Sequence, residues 1–160
     1  MSENGGHHLG RPRIQVLRYS DGAHVRYIGD RRQFGELRGI AVDCEGNIAV
    51  YDSQNCRVQV HRLSDGAYIR TIGSLVSGKG QFSGGCGGVA FDSEGNLVVA
   101  DYDNHRVQVL RYSDGAHVRT IGSRGSDNGQ FSSPYGGIAI DSDGRIVVAD
   151  TCNHRVQVFE

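Results

Sequence analysis

NHRVQV, residues 153–158, follows Asp150 across a two-residue spacer, and the same phrase closes two earlier stretches. VADYDNHRVQVL ends at Leu110, and VYDSQNCRVQVH ends at His61 with Cys56 in place of the histidine. Arg57, Arg106 and Arg155 stand 49 residues apart, as do Asp43, Asp92 and Asp141, and Gly39, Gly88 and Gly137. A fixed period of that size identifies an array of supersecondary units, each of which buries its faces on its neighbours. Three such units nearly exhaust the 160 residues.

Outward from the motif, the chain reads RVQVLRYSDGAHVRTIG from Arg106, RVQVHRLSDGAYIRTIG from Arg57 and RIQVLRYSDGAHVRYIG from Arg13. Asp-Gly between two alternating runs predicts a tight hairpin, because Gly takes positive φ without steric cost. Upstream, RGIAVDCEGNIAVYD, GGVAFDSEGNLVVAD and GGIAIDSDGRIVVAD each predict a second hairpin around Glu-Gly or Asp-Gly. Loops ending in Gln33-Phe34, Gln81-Phe82 and Gln130-Phe131 join one unit to the next. No segment shows the 3.6 period of an amphipathic helix.

The fold class is therefore all-β, built from four-stranded antiparallel units. With the strands labelled A to D, the order is C-D, A-B-C-D, A-B-C-D, A-B-C. Four-stranded units at this period predict the blades of a β-propeller, about three per chain. Repeats run approximately over 31–79, 80–128 and 129–160, preceded by an N-terminal hairpin at 13–29; residues 1–12 read as a disordered tail. Gly87-Gly88 and Gly136-Gly137 before strand A predict the crowded innermost strand.

With NHRVQV, DSEGN, VAD and GQF in this order, residues 13–160 resemble the NHL repeat family, named for its Asn-His-Leu triplet. Arg106 and Arg155 stand at the family's Leu, and Cys56 at its His. The resemblance implies a propeller, six-bladed as a rule, of which this chain supplies half. It also implies a platform for protein or RNA. NHL propellers serve so in tripartite-motif ubiquitin ligases and as sensor domains of bacterial kinases, and they form the catalytic scaffold of peptide-amidating lyases.

The charge is near balance, with 17 basic and 18 acidic residues interspersed, which gives no global field for nucleic acid or an anionic membrane. No apolar run is long enough for a membrane span, and the expectation is a cytoplasmic protein. The scattered cysteines, Cys44, Cys56, Cys86 and Cys152, argue against a disulfide framework or a shared metal site. No nucleotide, metal or nucleophile motif is present, and neither an enzyme activity nor a cofactor is expected.

Asp52, Asp101 and Asp150 each lie five residues before Arg57, Arg106 and Arg155. A bidentate Arg–carboxylate pair that ties strands in register is the reading, since catalysis needs one asymmetric constellation rather than one pair per blade. Asn104, His105, Asn153 and His154 belong to the same repeated structural set; equivalent histidines in successive blades are too spread to converge on zinc. The acidic turns at Asp43, Asp92 and Asp141 read as Asx turns rather than calcium loops.

The unrepeated residues are the candidate ligand site. Arg31 and Arg32 fill the shortened first connection, and Glu36, Leu37 and Arg38 replace the Gly-Gly-Cys and Ser-Pro-Tyr of the sister loops. Tyr135 is the lone aromatic before a strand A. Arg31, Arg32 and Arg38 near Tyr135 across a closed ring would bind a protein partner, or RNA by stacking and phosphate contact. Three blades cannot close a ring, so a homodimer of two half-rings is expected. Strand C is present at both ends of the chain, and the sequence does not choose between the copies.

Overall fold

The computed structural model describes residues 13–29, 33–76 and 78–160, so the predicted tail 1–12 lies outside the described residues. β1 (Ile14–Leu17) and β2 (His24–Ile28) form a hairpin. β3 (Leu37–Val42), β4 (Asn47–Asp52), β5 (Arg57–Arg62) and β6 (Tyr68–Ile72) form the first full sheet. β7 (Val89–Phe91), β8 (Leu97–Asp101), β9 (Arg106–Leu110) and β10 (His117–Ile121) form the second. β11 (Ile138–Ile140), β12 (Ile146–Asp150) and β13 (Arg155–Phe159) form a third, lacking an outer strand. Each strand pairs antiparallel with its sequence neighbour, and the observed order is the expected C-D, A-B-C-D, A-B-C-D, A-B-C.

The turns follow from their acidic residues. Asp43 Oδ1 accepts the backbone N–H of Glu45 at 2.9 Å and of Asn47 at 2.8 Å, which folds the chain back from strand A to strand B. Asp92 and Asp141 repeat the arrangement. In the outer hairpin, Asp114 Oδ1 accepts the Ala116 N–H at 2.9 Å, and Gly115 takes φ 75°.

Alternation along the strands gives each blade a leading face, towards the preceding blade, and a trailing face, towards the next. Ala49, Tyr51, Val58 and Val60 on the first trailing face bury against Phe82, Leu97, Val99 and Leu110. Val98, Val107 and Val109 on the second bury against Phe131, Ile146 and Val148. The β1–β2 hairpin stands as the C and D strands of a preceding blade, with Ile14 and Ile28 packed on Ile48 and Val50.

Along the inside of the arc, β3, β7 and β11 adjoin. A Cβ on Gly39 would lie 2.9 Å from Val89 N, and one on Gly88 2.7 Å from Ile138 N, so the inner strands approach backbone to backbone.

One local feature departs from the sequence reading. The turn from strand B to strand C is a short 3-10 helix, at Ser53–Asn55, Tyr102–Asn104 and Thr151–Asn153. The residue after each, Cys56, His105 or His154, takes a left-handed conformation with φ 51°, 53° and 53°. Such a helix is too short to leave a periodic signature. No helix among the described residues is long and apolar enough to cross a membrane.

Candidate functional site

The motif builds a buried polar network at the top of every strand B–strand C pair. In the central blade Asp101 is fully buried, and its Oδ2 accepts from Arg106 Nε at 2.8 Å, Asn104 Nδ2 at 2.9 Å and Gln108 Nε2 at 3.1 Å. The Arg106 Nη2 donates to the carbonyls of Gly78 at 2.8 Å and Gln81 at 3.1 Å in the loop that enters the blade. The predicted bidentate pair is thus corrected. Only Nε meets the carboxylate, because the other arm of the guanidinium is taken by loop carbonyls.

Asp52 with Arg57, and Asp150 with Arg155, repeat the arrangement at 3.3 Å and 2.9 Å. Gln59, Gln108 and Gln157 were not singled out in the sequence, although each bonds both the Asp and the loop carbonyl of Gln33, Gln81 or Gln130. The signal was present: a glutamine alternating with valines must face into the sheet stack.

Asp101 and Asp150 are not equal. Burial raises the Asp101 carboxyl above its ordinary range in spite of its three donors, and its Oδ1 is buried without a hydrogen-bond partner. For Asp150 burial acts in the same sense but is outweighed by Asn153, the Ser132 N–H and Arg155, which hold it below the ordinary range. The Ser132 N–H reaches Asp150 Oδ1 at 2.8 Å, and the Gly35 N–H reaches Asp52 Oδ1 at 2.9 Å. Acidification therefore acts in opposite senses on the two groups. Stability from Asp150 is present above its unfolded pKa and is lost as pH falls through its folded value. Protonation of Asp101 instead relieves a buried charge.

The motif histidine couples one blade to the next. His105 Nδ1 accepts the Ser133 N–H at 3.0 Å, so that nitrogen carries the lone pair. Cys56 Sγ takes the same role towards the Gly84 N–H at 3.1 Å, which accounts for the exchange of His for Cys.

Replacing Arg106 by Ala should cost about 1–3 kcal/mol, since Asp101 stays buried with fewer donors. Urea unfolding reads the loss. Arg106→Lys should not restore it, because one ammonium cannot follow the planar fork to a carboxylate and two carbonyls.

Of the unrepeated candidates, Arg31 and Arg32 lie outside the described residues. Arg38 and Tyr135 do meet, with the guanidinium carbon 5.4 Å from the ring centroid. They meet at neighbouring positions of one arc rather than across a ring, because β3, β7 and β11 lie side by side. Tyr102, which the sequence reading missed, stands edge-on to Tyr135 at 5.3 Å. Glu36 Oε1 accepts from Arg38 Nε at 3.2 Å and Nη2 at 3.1 Å, whereas Arg38 Nη1 is buried without a hydrogen-bond partner. Burial lowers the Arg38 pKa, but Glu36 and the two tyrosines outweigh it and raise the value above the ordinary one. The result is an aromatic–guanidinium patch, half exposed at Tyr135 and partly neutralised by its own carboxylate.

Comparison with known proteins places this architecture. The chain superposes on a chain of a nidogen/laminin complex with TM-score 0.71 and 24% identity, over 93% of this chain and 52% of that one. A streptogramin B lyase gives TM-score 0.65 and 13% identity, over 94% and 48%. The WD40 propeller domain of Doa1 gives 0.64 and 13%, over 91% and 43%. The chain thus spans about half the length of these solved chains. No curated protein matches its sequence. The NHL repeat profile matches residues 84–110 and 136–159, which contain the second and third copies of the motif. With the same buried Asp–Arg–Gln network built in all three units, the chain carries NHL repeats at residues 84–110 and 136–159 and folds as part of a β-propeller.

Proposed function

We propose that the chain is a non-enzymatic NHL scaffold that binds a protein partner at the end of the arc where Arg38, Tyr102 and Tyr135 meet. The observation that carries this reading is the patch itself. It is the place where unrepeated residues from three blades converge on rigid inner strands, and Tyr and Arg are the side chains that dominate protein interfaces. Similar propellers include both a chain of a complex named for two proteins and a lyase, so the fold does not decide between binding and catalysis. The repeated Asp–Arg pairs support the first, since each is engaged in holding its own blade. Glu36 favours a protein over RNA, because a phosphate would have to compete with a carboxylate already bonded to Arg38. Service as the recognition part of a tripartite-motif ubiquitin ligase, in the cytoplasm, would be one setting for such a partner.

The test is affinity capture of partners from lysate, followed by binding measurements with Tyr135→Ala and Arg38→Ala combined. Loss of affinity by about 30-fold is expected, the effect of removing an interface hot spot of roughly 2 kcal/mol. Capture should survive nuclease and change little with salt. Unchanged affinity in the double variant would remove this face from the reading, and a steep salt dependence abolished by nuclease would replace the protein partner with RNA.

A further inference from the structure

The two ends of the arc display the two halves of a seam that the chain already makes twice within itself. Val156 and Val158 on the trailing face of β13 are 62% and 55% exposed, whereas their counterparts Val58, Val60, Val107 and Val109 are at most 1% exposed. A Cβ on Gly137 would meet nothing within 4 Å, although Gly39 and Gly88 each touch the next inner strand. A groove of about 300 Å3 lies there, lined by Gly137, Ala139, Val147, Ala149 and Val156. His154 accepts no backbone N–H among the described residues, unlike His105 and Cys56. At the other end, Ile40 and Val42 on the leading face of β3 are 54% and 53% exposed, whereas Val89, the counterpart of Ile40, is 4% exposed. In the inner seam it is Ile138 that sits against Gly88, so Ile40 is the residue shaped for the groove at Gly137.

We propose that two copies of this chain join head to tail about a two-fold axis, with β13 of each copy replacing β1 beside β2 of the other. The occupant is a second copy because both complementary halves belong to one chain, and the blade-to-blade interface they would form is already built twice inside it. β2 then lies as a fourth, outer strand beside β13 of the other copy, whose own sheet has three strands.

The choice of strand follows from what each end satisfies. Arg13 and Gln15 of the N-terminal copy hold the positions of Arg106 and Gln108, but among the described residues β1 has no strand B beside it to supply an aspartate. The Arg13 guanidinium lies 3.9 Å from the Tyr27 ring centroid, and Gln15 Nε2 donates to the Tyr27 hydroxyl at 3.4 Å. In β13, by contrast, Arg155 bonds Asp150 at 2.9 Å and three loop carbonyls, and Gln157 bonds the Gln130 carbonyl at 2.7 Å. β1 is therefore the weaker tenant. Its Ile14 and Val16 pair with Ile28 and Arg26, as Val107 and Val109 pair with Ile121 and Arg119. Val156 and Val158 of the second copy enter the same register, opposite Ile28 and Arg26, and cover Ile48 and Val50.

Light scattering on the intact chain is expected to give about twice 17.3 kDa. Val156→Asp with Val158→Asp should return the mass to one chain with an unchanged circular dichroism spectrum, since both side chains face solvent in a single copy. The seating of β13 is read separately. Arg26→Cys with Val158→Cys, in a chain also carrying Cys44→Ser and Cys152→Ser, should cross-link under mild oxidation into a covalent dimer. A wild-type chain that stays monomeric up to millimolar concentration overturns the proposal. A dimer in which Arg26→Cys and Val158→Cys fail to cross-link overturns the exchange of β13 for β1. Neither result bears on partner binding at Arg38 and Tyr135, which is measured on its own.

Discussion

Asp52→Ala should lower stability by about 3–5 kcal/mol, roughly the sum over the four hydrogen bonds that this buried carboxylate accepts. Asp52 is fully buried, and its two oxygens accept from Gly35 N at 2.9 Å, Asn55 Nδ2 at 2.8 Å, Gln59 Nε2 at 3.1 Å and Arg57 Nε at 3.3 Å. Alanine strands all four donors at once. Among the described residues the guanidinium of Arg57 keeps the Gln33 carbonyl at 2.9 Å, and Gln59, itself buried, loses one of its two acceptors. For a chain of this size the melting temperature should fall by on the order of 10 °C. The loss should exceed that of Arg106→Ala, where the carboxylate left behind still has two side-chain donors. A drop of less than about 1 kcal/mol in urea would mean that the network is not what holds strand B to strand C.

Phe82→Ala is the second large effect, about 3–5 kcal/mol for a large aromatic removed from a closed core. Phe82 is fully buried, its ring meets Tyr51 edge-on at 5.5 Å, and Gly73 leaves room for it: a Cβ there would fall 2.2 Å from Phe82 Cε2. The phenylalanine of each Gln-Phe loop therefore plugs the junction where one blade ends and the next begins. Phe131 does the same beneath Gly122. Differential scanning calorimetry on Phe82→Ala and Phe131→Ala should show losses of similar size. If Phe82→Ala melted like the parent, the seam would have to be held by the valine faces alone.

The period of NHRVQV was enough to read strand order, turn positions and the inner glycines, because these depend on local chemistry repeated at a fixed interval. The structure carries them without exception among the described residues. The polar network was half legible. Asp and Arg announce themselves by charge, but Gln108 looks like a surface residue until the sheet's alternation is followed strictly. The 3-10 turn was not legible, since a single turn leaves no period and His105 is an unusual residue to find at positive φ. Tyr102 carries no signal of its own in the sequence, because it lies inside the repeat at the position of Ser53 and Thr151, and the inner crowding of three blades is what brings it to Tyr135. Arg38 declares itself by its charge, yet what Glu36 leaves of that charge depends on side-chain geometry that no spacing rule contains.

The inner and outer margins of the first seam differ in a way that bears on ring size. Inside, Gly39 and Gly88 let main chains touch; outside, a whole side chain bridges the gap, with Arg70 Nη1 donating to the Tyr112 carbonyl at 2.9 Å and also to that of Ser113. Each blade is thus a wedge, narrow at the axis and broad at the rim, and the angle between neighbours is the difference between a glycine and an arginine. At this seam curvature is therefore written as a ratio of side-chain volumes, small at the axis and large at the rim. A chain with alanines at the inner positions and shorter residues at the rim would open its arc and call for more blades to come full circle.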